Sequence, residues 1–285
     1  KTMLLRPPML AAPTLPLLQL RPALSISRSL PVAMSGTPPR PVAFGALAFY
    51  FGFFFLSDVP PGPNVLNTPP EFLSTVLDLS LNFFFILPLT TPGAPVVDPM
   101  YEAIFNSAIA FSLLFVGFAT DGRKKADDAR LGENAFVPFL AAMPFATNLA
   151  YLAYLGARPA PADEPPSRPL NWLEEVGESP SLPVALVGML ALSLSWGVFG
   201  RADAFGPPSE RLMLLQQLLS TERLAYALLG DCAFFGVFQG WMLEDDLARR
   251  EHIDDAERAR LLNVGRFVPY LGLAYYLLAR PRLRS

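Results

Sequence analysis

Acid and amide side chains occur four residues apart in two strongly apolar segments. Asp78 and Asn82 lie in LDLSLNFFFILPL, and Glu102 and Asn106 lie in YEAIFNSAIAFSLLFVGF. Residues at i and i+4 share one face of a helix. Because a charged side chain at the centre of a bilayer costs about 2.5–3.5 kcal/mol on insertion scales, we expect these faces to meet protein, water or a ligand.

Three kinds of chemistry fit these polar groups, and the sequence leaves all three open. Hydrogen bonds between the two segments would clamp them as an antiparallel hairpin, at about 0.6–2 kcal/mol per contact. A proton or ion path would use Asp78 and Asp231 as its acids. Ligation of chlorophyll magnesium would use the hard donors that Mg²⁺ accepts. The candidate magnesium ligands are Glu102, Asn106, Asn148, Gln239 and, outside the apolar segments, His252.

The composition predicts that membrane helices position these groups. The chain has 285 residues, of which 52% are hydrophobic and only 16% charged, whereas soluble domains have about 25% charged residues. The net charge of −3 offers no basic surface for nucleic acid. With one histidine and one cysteine, Cys232, the chain can form neither an intrachain disulfide nor a His/Cys metal cage.

Apolar runs of membrane length recur along the chain, and we predict an all-α integral membrane bundle of about six transmembrane helices. The run 42–56 reaches only about 22 Å as a helix, less than the ~30 Å hydrocarbon core, so we predict a short apolar helix that does not cross. The predicted spans are residues 71–87, 101–118, 135–155, 182–199, 224–243 and 261–279.

The distribution of basic residues favours this topology. If 42–56 does not cross, one side of the membrane carries 15 Lys and Arg residues and the other carries 7; with all seven runs crossing, the split is 12 to 10. The positive-inside rule therefore favours six spans with both termini on the positive side. Residues 209–220 are expected to form an interfacial helix. Residues 244–260 are expected to form a solvated connecting helix, because they are polar nearly all round.

The chain divides into three predicted parts. Residues 1–40 contain five basic residues, no acid and many prolines, which is typical of an organelle transit peptide or its remnant. If ordered, this tail is expected to extend along a neighbouring subunit, because it cannot bury enough surface alone. Residues 41–70 form a short apolar segment and a Pro-rich linker, and residues 71–280 form the membrane bundle.

Enzyme signatures are missing from the sequence. There is no GxSxG elbow, HExxH motif or Walker loop. The acidic stretches TDGRKKADDAR and EDDLARREHIDD lack the spacings of membrane prenyl- and phosphatidyltransferases. We therefore expect a protein that is not an enzyme.

Five stretches between residues 71 and 278 resemble a little-characterised family of multi-span proteins of cyanobacteria and plastids. They are LDLSLNFFFILPL, PMYEAIFN, WLEEVGES, LSWGVFGR and LLSTERLAYALLGDCAFFGVFQGWMLEDD. The resemblance implies a multi-pass protein of the plastid thylakoid membrane and gives no activity.

Two functional hypotheses follow. The first is a non-catalytic accessory or linker subunit of a photosystem–antenna supercomplex. It would bind a few chlorophylls and carotenoids, and its partners would be photosystem core and antenna subunits and membrane lipid. The second is a small-solute or ion transporter that uses Asp78 and Asp231.

Overall fold

The computed structural model describes residues 40–70, 96–122, 136–158 and 169–284. Within these ranges the regular structure is helical, with one isolated β-bridge between Arg250 and Leu283 and no strand. The predicted tail over 1–40, apart from Arg40, lies outside the described residues, as does the predicted span 71–87 with Asp78 and Asn82.

The helices of the described ranges follow in chain order. They are α1 (Arg40–Phe51), α2 (Pro99–Leu114), α3 (Val137–Ala157), α4 (Trp172–Glu178), α5 (Ser181–Phe199), α6 (Ala202–Phe205), α7 (Arg211–Thr221), α8 (Arg223–Phe238), α9 (Leu243–Ala248), α10 (Asp255–Phe267) and α11 (Leu271–Ala279). A π-helical turn, Gly52–Leu56, continues α1. Turns of 3₁₀-helix continue α2 (Phe115–Gly122) and join α8 to α9 (Gln239–Met242).

Four helical stretches are long and apolar enough to cross a membrane, which indicates a membrane protein. They are Pro99–Asp121, Val137–Ala157, Ser181–Phe199 and Arg223–Ala248. The prediction of an all-α, membrane-type chain is confirmed at this level, and the number of six spans is not. The predicted interfacial location of α7 stays a prediction, although a helix does form there.

Charged residues mark the two ends of the bundle. At one end, here called the Arg201 end, Glu102 near the start of α2 pairs with Arg201 just after α5, at 2.9 Å. At the other, here called the Arg158 end, Arg158 just after α3 pairs with Asp121 and, at 2.5 Å, with Asp245. Because α2 begins where α5 ends, these two helices run antiparallel.

α1 and its π-helical turn reach from one end of the bundle to the other. The ring of Phe44 packs against Gly156, two residues before Arg158. At the opposite end, Arg223 donates hydrogen bonds to the carbonyls of Phe54 (3.1 Å) and Ser57 (2.9 Å). The stretch is helical from residue 40, so about 25 Å of helix lies between these two contacts. It is shorter than the four membrane-length stretches, and the prediction that 42–56 does not cross stays a prediction.

α3 folds back on itself instead of running straight. The rings of Phe136 and Tyr154 stack with centroids 4.0 Å apart, whereas eighteen residues of straight helix would separate them by about 27 Å. The turn lies at Thr147, with φ +39° and ψ −118°, three residues after Pro144. Proline removes a helical hydrogen bond and favours such a break. The predicted span 135–155 is thus two half-helices, here called the α3 hairpin, open toward the Arg158 end.

A second hairpin follows α9. The N–H of Glu251 donates to the carbonyl of Arg282 (2.9 Å), so the chain after α11 returns to the chain before α10. The reversal includes Tyr270, with φ +59°. Gly272 permits the close approach, because a Cβ there would strike the carbonyl of Val264. The predicted span 261–279 is therefore wrong, and these residues belong to the α10–α11 hairpin, which also opens toward the Arg158 end.

The charged segment 244–260 is partly buried, so the prediction of a solvated connecting helix is also wrong. Asp246 and Arg250 are 0% and 1% exposed. Arg250 pairs with Asp246 (2.8 Å, the expected i, i+4 contact) and with Glu178 (2.8 Å), and Arg280 contacts both acids. Burial alone would lower the pKa of Arg250, but the two carboxylates raise it above its usual range, so the guanidinium stays charged. This network closes the base of the α10–α11 hairpin.

Candidate functional site

α8 carries two buried polar side chains, Asp231 and Gln239, and each binds the tip of one hairpin. Asn148, at the tip of the α3 hairpin, donates from Nδ2 to Asp231 Oδ1 at 2.7 Å. Gln239 Nε2 donates to the carbonyl of Val268, at the turn of the α10–α11 hairpin, at 2.9 Å. Both contacts lie in the interior of the Arg223–Ala248 stretch, between the two ends of the bundle.

Asp231 is the centre of a group of four buried polar residues. Its Oδ1 accepts from Tyr50 Oη at 2.6 Å as well as from Asn148 Nδ2. Asn148 Nδ2 also donates to the backbone carbonyl of Asp231 at 3.0 Å. With Thr147 beside Tyr50, these residues form what we call the Asp231 cluster, and none of the four is more than 8% exposed.

Three side chains of the cluster form a directed chain of hydrogen bonds. Tyr50 Oη lies 3.2 Å from Thr147 Oγ1 and 2.6 Å from Asp231 Oδ1. A tyrosine hydroxyl has one proton, and a carboxylate oxygen can only accept it. Tyr50 therefore donates to Asp231, and the hydroxyl of Thr147 donates to Tyr50.

The backbone at Thr147 is strained. A positive φ is a true outlier for a β-branched residue, and such conformations cost about 1–3 kcal/mol unless the surroundings hold them. Here the surroundings are specific, since the Thr147 side chain binds Tyr50 and the next residue, Asn148, binds Asp231. Backbone strain of this kind concentrates at functional sites.

The charge of Asp231 has no cationic partner in the described part of the chain. Its neighbours there are the hydroxyls of Tyr50 and Thr147 and the amide of Asn148. The amide oxygen of Asn148, Oδ1, is fully buried and has no hydrogen-bond partner among the described residues. Within that part of the chain, the cluster thus contains an acid without a counter-ion beside an acceptor without a donor.

Gln239 satisfies backbone groups that the turn before α11 leaves free. Its Nε2 donates to the carbonyls of Gly265 (2.7 Å) and Val268 (2.9 Å), and its Oε1 accepts from the N–H of Tyr270 (3.2 Å). Groups at helix ends lack helical partners and need such contacts when buried. Gln239 therefore acts as a clamp on the α10–α11 hairpin.

Glu102 and Asn106 share one helix face, as their spacing predicts, but they lie near the Arg201 end. Glu102 accepts from Arg201 Nη2 at Oε1 (2.9 Å) and from Trp196 Nε1 at Oε2 (2.6 Å). Asn106 Nδ2 donates to the backbone carbonyl of Glu102 at 2.7 Å. Glu102 therefore ties α2 to the C-terminal end of α5 by an ion pair and a hydrogen bond, whereas this bond of Asn106 lies within α2.

The structure does not bring the five predicted magnesium ligands together. Glu102 and Gln239 already use their oxygens for protein donors, so a metal would have to displace those bonds. His252 is exposed, close in sequence to the ion pairs of the Arg158 end. Asn148 offers a buried amide oxygen to which no described residue donates a hydrogen bond. Pigment binding by any of the five stays a prediction.

Sequence reasoning missed Tyr50 and Thr147. Tyr50 is the one polar side chain in VAFGALAFYFGFFFL, and Thr147 follows Pro144 in the apolar stretch MPFATNL. A lone hydroxyl in an apolar run and a proline-linked polar pair are signals that could have been used. The pairing of Tyr50 with Asp231 still requires the fold, because 181 residues separate them.

Comparison with family models, curated proteins and solved structures finds no match to this chain. We therefore infer the function from the chain's own geometry. Among the described residues, no three His, Cys, Asp or Glu side chains are grouped so that they could hold a metal ion. The chemistry of the Asp231 cluster is that of one buried acid with hydroxyl and amide neighbours.

Proposed function

We propose that this protein is a membrane transport protein that moves a small ion or solute past Asp231. The observation that carries the proposal is the contact of Asn148, at the break in α3, with an acid that has no cationic partner in the described residues. Broken helices at membrane depth are tolerated where they are buried in protein or line a cavity. Secondary transporters bind substrates and coupling ions at such breaks near the bilayer midplane.

The identity of the side chain supports transport over a purely structural clamp. Gln239 holds the tip of the α10–α11 hairpin without any charge. An amide at position 231 could do the same for the α3 hairpin, whereas a carboxylate there adds a cost of about 2.5–3.5 kcal/mol on insertion scales. Intramembrane acids are a mark of ion and proton pathways.

The ion pairs at the Arg158 end supply an element that could open and close such a path. Arg158 holds the base of the α3 hairpin to Asp121 and Asp245, and Arg280 holds the base of the α10–α11 hairpin to Asp246 and Glu178. Both hairpins enter from this end. Rearrangement of these pairs would shift the two tips relative to α8, which is the kind of motion that alternating access requires.

A flux assay in proteoliposomes tests the proposal. Purified protein is reconstituted with trapped dyes for H⁺, Na⁺ and K⁺, and thermal stability is measured against a panel of small solutes. We expect flux of at least one ion, or stabilisation by a solute, that Asp231→Asn removes. Asp203→Asn is the control, because Asp203 is exposed and lies in α6. Wild-type protein without flux and without a solute effect would contradict transport.

A second candidate is the accessory subunit of a photosystem–antenna supercomplex in the plastid thylakoid membrane. The observation that favours it, beside the family resemblance, is the exposed apolar surface of α5. Only 22% of the most apolar 18 residues of this helix are buried, and Val184, Leu192 and Leu194 are each more than half exposed. Such a surface suits lipid, and it equally suits a core or antenna subunit with chlorophyll and carotenoid between them.

The absorption spectrum of the gently purified protein separates the two candidates. Stoichiometric chlorophyll would favour the accessory subunit, with Asn148 Oδ1 as the first ligand atom to examine. A protein without pigment that shows Asp231-dependent flux would favour transport.

A further inference from the structure

We propose that Asp231 is a proton-binding site and that the structure corresponds to its neutral, protonated form, paired with Asn148. This inference deepens the proposed function and, as a statement about transport, rests on it: the species that binds at Asp231 is a proton rather than a metal cation. The protonation of Asp231 itself can be measured whether or not the protein transports anything.

The orphan amide oxygen is the observation that points to a proton. Asn148 Nδ2 donates to Asp231 Oδ1 at 2.7 Å. Asn148 Oδ1, bonded to the same carbon as Nδ2, is fully buried and meets no donor in the part of the chain that the structure describes. An acid and an amide can pair through two bonds, N–H to carboxyl oxygen and O–H to amide oxygen. A proton on Asp231 Oδ2 would supply the missing second donor.

The neutral acid removes two unfavourable features at once. A buried acceptor without a donor costs free energy, and so does a carboxylate without a counter-ion at membrane depth. One proton satisfies the amide oxygen and neutralises the charge. A metal cation between the two oxygens would do the same, and the groups around Asp231 distinguish the two species.

The charged form also has partners, as a site that takes up and releases a proton requires. With the proton gone, Tyr50 Oη and Asn148 Nδ2 still donate to Asp231 Oδ1. Hydrogen bonds to an ionised acceptor are stronger than neutral ones. The directed chain from Thr147 through Tyr50 to Asp231 offers a hydrogen-bonded route by which a proton could arrive.

The groups that face Asp231 fit a proton better than a metal cation. α1 contributes the titratable hydroxyl of Tyr50, α3 contributes Thr147 and Asn148, and along α8 the neighbouring thiol of Cys232 interacts with the acid. The described residues place no Lys, Arg, Asp or Glu side chain in ion-pair or hydrogen-bond contact with it. Two of these groups direct O–H or N–H donors at the carboxyl, whereas a hard cation needs a shell of oxygens.

Infrared difference spectroscopy of the purified protein at neutral pH tests the inference. We expect a carbonyl band of a protonated carboxylic acid in wild-type protein that is absent in Asp231→Asn, present in Asp203→Asn, and shifted to lower frequency in deuterium oxide. A carboxylate band that disappears in Asp231→Asn instead would overturn it. If Asp231→Asn does not fold, Tyr50→Phe serves in its place. Loss of the Tyr50 hydrogen bond should shift the acid band upward, and no shift in that region would overturn the inference.

The infrared spectrum and the flux assay test the proton site and the transport function independently of each other. A neutral Asp231 in a protein without flux of any ion or effect of any solute would uphold the proton site and overturn transport. A carboxylate at Asp231 together with Asp231-dependent Na⁺ or K⁺ flux would uphold transport and overturn the proton site.

Discussion

Asn148 Nδ2 donates two hydrogen bonds to Asp231, one to its side-chain Oδ1 at 2.7 Å and one to its backbone carbonyl at 3.0 Å. The contact joins the turn of α3 to the interior of α8, so the conformation of the hairpin tip and the surroundings of the acid depend on each other. A change at the turn is therefore expected to alter the acid, and a change at the acid is expected to loosen the turn.

The strained turn gives the first prediction. Thr147→Gly and Thr147→Ala both lose the hydroxyl that binds Tyr50, but only glycine relieves the positive φ. We expect Thr147→Gly to be the more stable of the two by about 1 kcal/mol in thermal unfolding in detergent. The same pair at Gln216, exposed in the middle of α7, should show the opposite order, because glycine disfavours an ordinary helix. If the alanine variant were the more stable one at both sites, the backbone at Thr147 would not be strained.

The second prediction concerns the hydroxyl of Tyr50. Tyr50→Phe removes the 2.6 Å bond to Asp231 and should lower the unfolding free energy by about 0.6–2 kcal/mol. Tyr226→Phe is the matched control, since this half-buried ring packs on Phe54 with centroids 6.1 Å apart and its hydroxyl has no hydrogen bond within the described residues. If both variants unfold at the wild-type temperature, the hydrogen bond between Tyr50 and Asp231 does not stabilise the protein.

The third prediction concerns Gln239, the clamp on the α10–α11 hairpin. Gln239→Leu would leave the carbonyls of Gly265 and Val268 and the N–H of Tyr270 without this partner, at about 1–3 kcal/mol for each group that stays buried. We expect faster amide hydrogen exchange around the turn as well as lower stability. Gln217→Leu, at an exposed position of α7, should change neither. Unaltered exchange at the turn would show that Gln239 does not hold it.

The fourth prediction compares two glycines, Gly272 and Gly188. A Cβ at Gly272 would meet the backbone carbonyl of Val264, whereas a Cβ at Gly188 in α5 meets nothing within 4 Å. Gly272→Ala should therefore destabilise the protein by about 1–3 kcal/mol. Gly188→Ala should stabilise it by up to about 1 kcal/mol, because alanine is the better helix former. If Gly272→Ala is harmless, the two helices do not approach as closely as described.

The sequence was sufficient to predict the helical, membrane-type character of the chain and three of its long helical stretches. The apolar runs 101–118, 182–199 and 224–243 have no proline beyond Pro183 in the first turn of α5, and they became long helical stretches that keep these positions. The spacing of Glu102 and Asn106 also placed both on one face of α2. Local periodicity and composition decide such features.

The two hairpins could not be predicted because hydrophobicity does not distinguish a straight helix from one that folds back. Pro144 was visible in the run 135–155, but proline is tolerated within membrane helices when neighbours satisfy the backbone. The reversal at Thr147 depends on Tyr50 and Asp231, which are distant in sequence. The charged segment 244–260 was misjudged for the same reason, since Glu178 and Arg280, the partners that bury it, come from elsewhere in the chain.

A distance between spin labels on residues 137 and 157 tests most directly whether α3 folds back to place Asn148 against Asp231. In a Cys232→Ser background, Val137→Cys and Ala157→Cys are labelled and measured by double electron–electron resonance in lipid. Labels at Val184 and Phe199, both exposed on the straight helix α5, give the reference of about 22 Å. The hairpin predicts an α3 distance well below that reference, whereas about 30 Å, the length of twenty residues of straight helix, would contradict the hairpin and the site built on it.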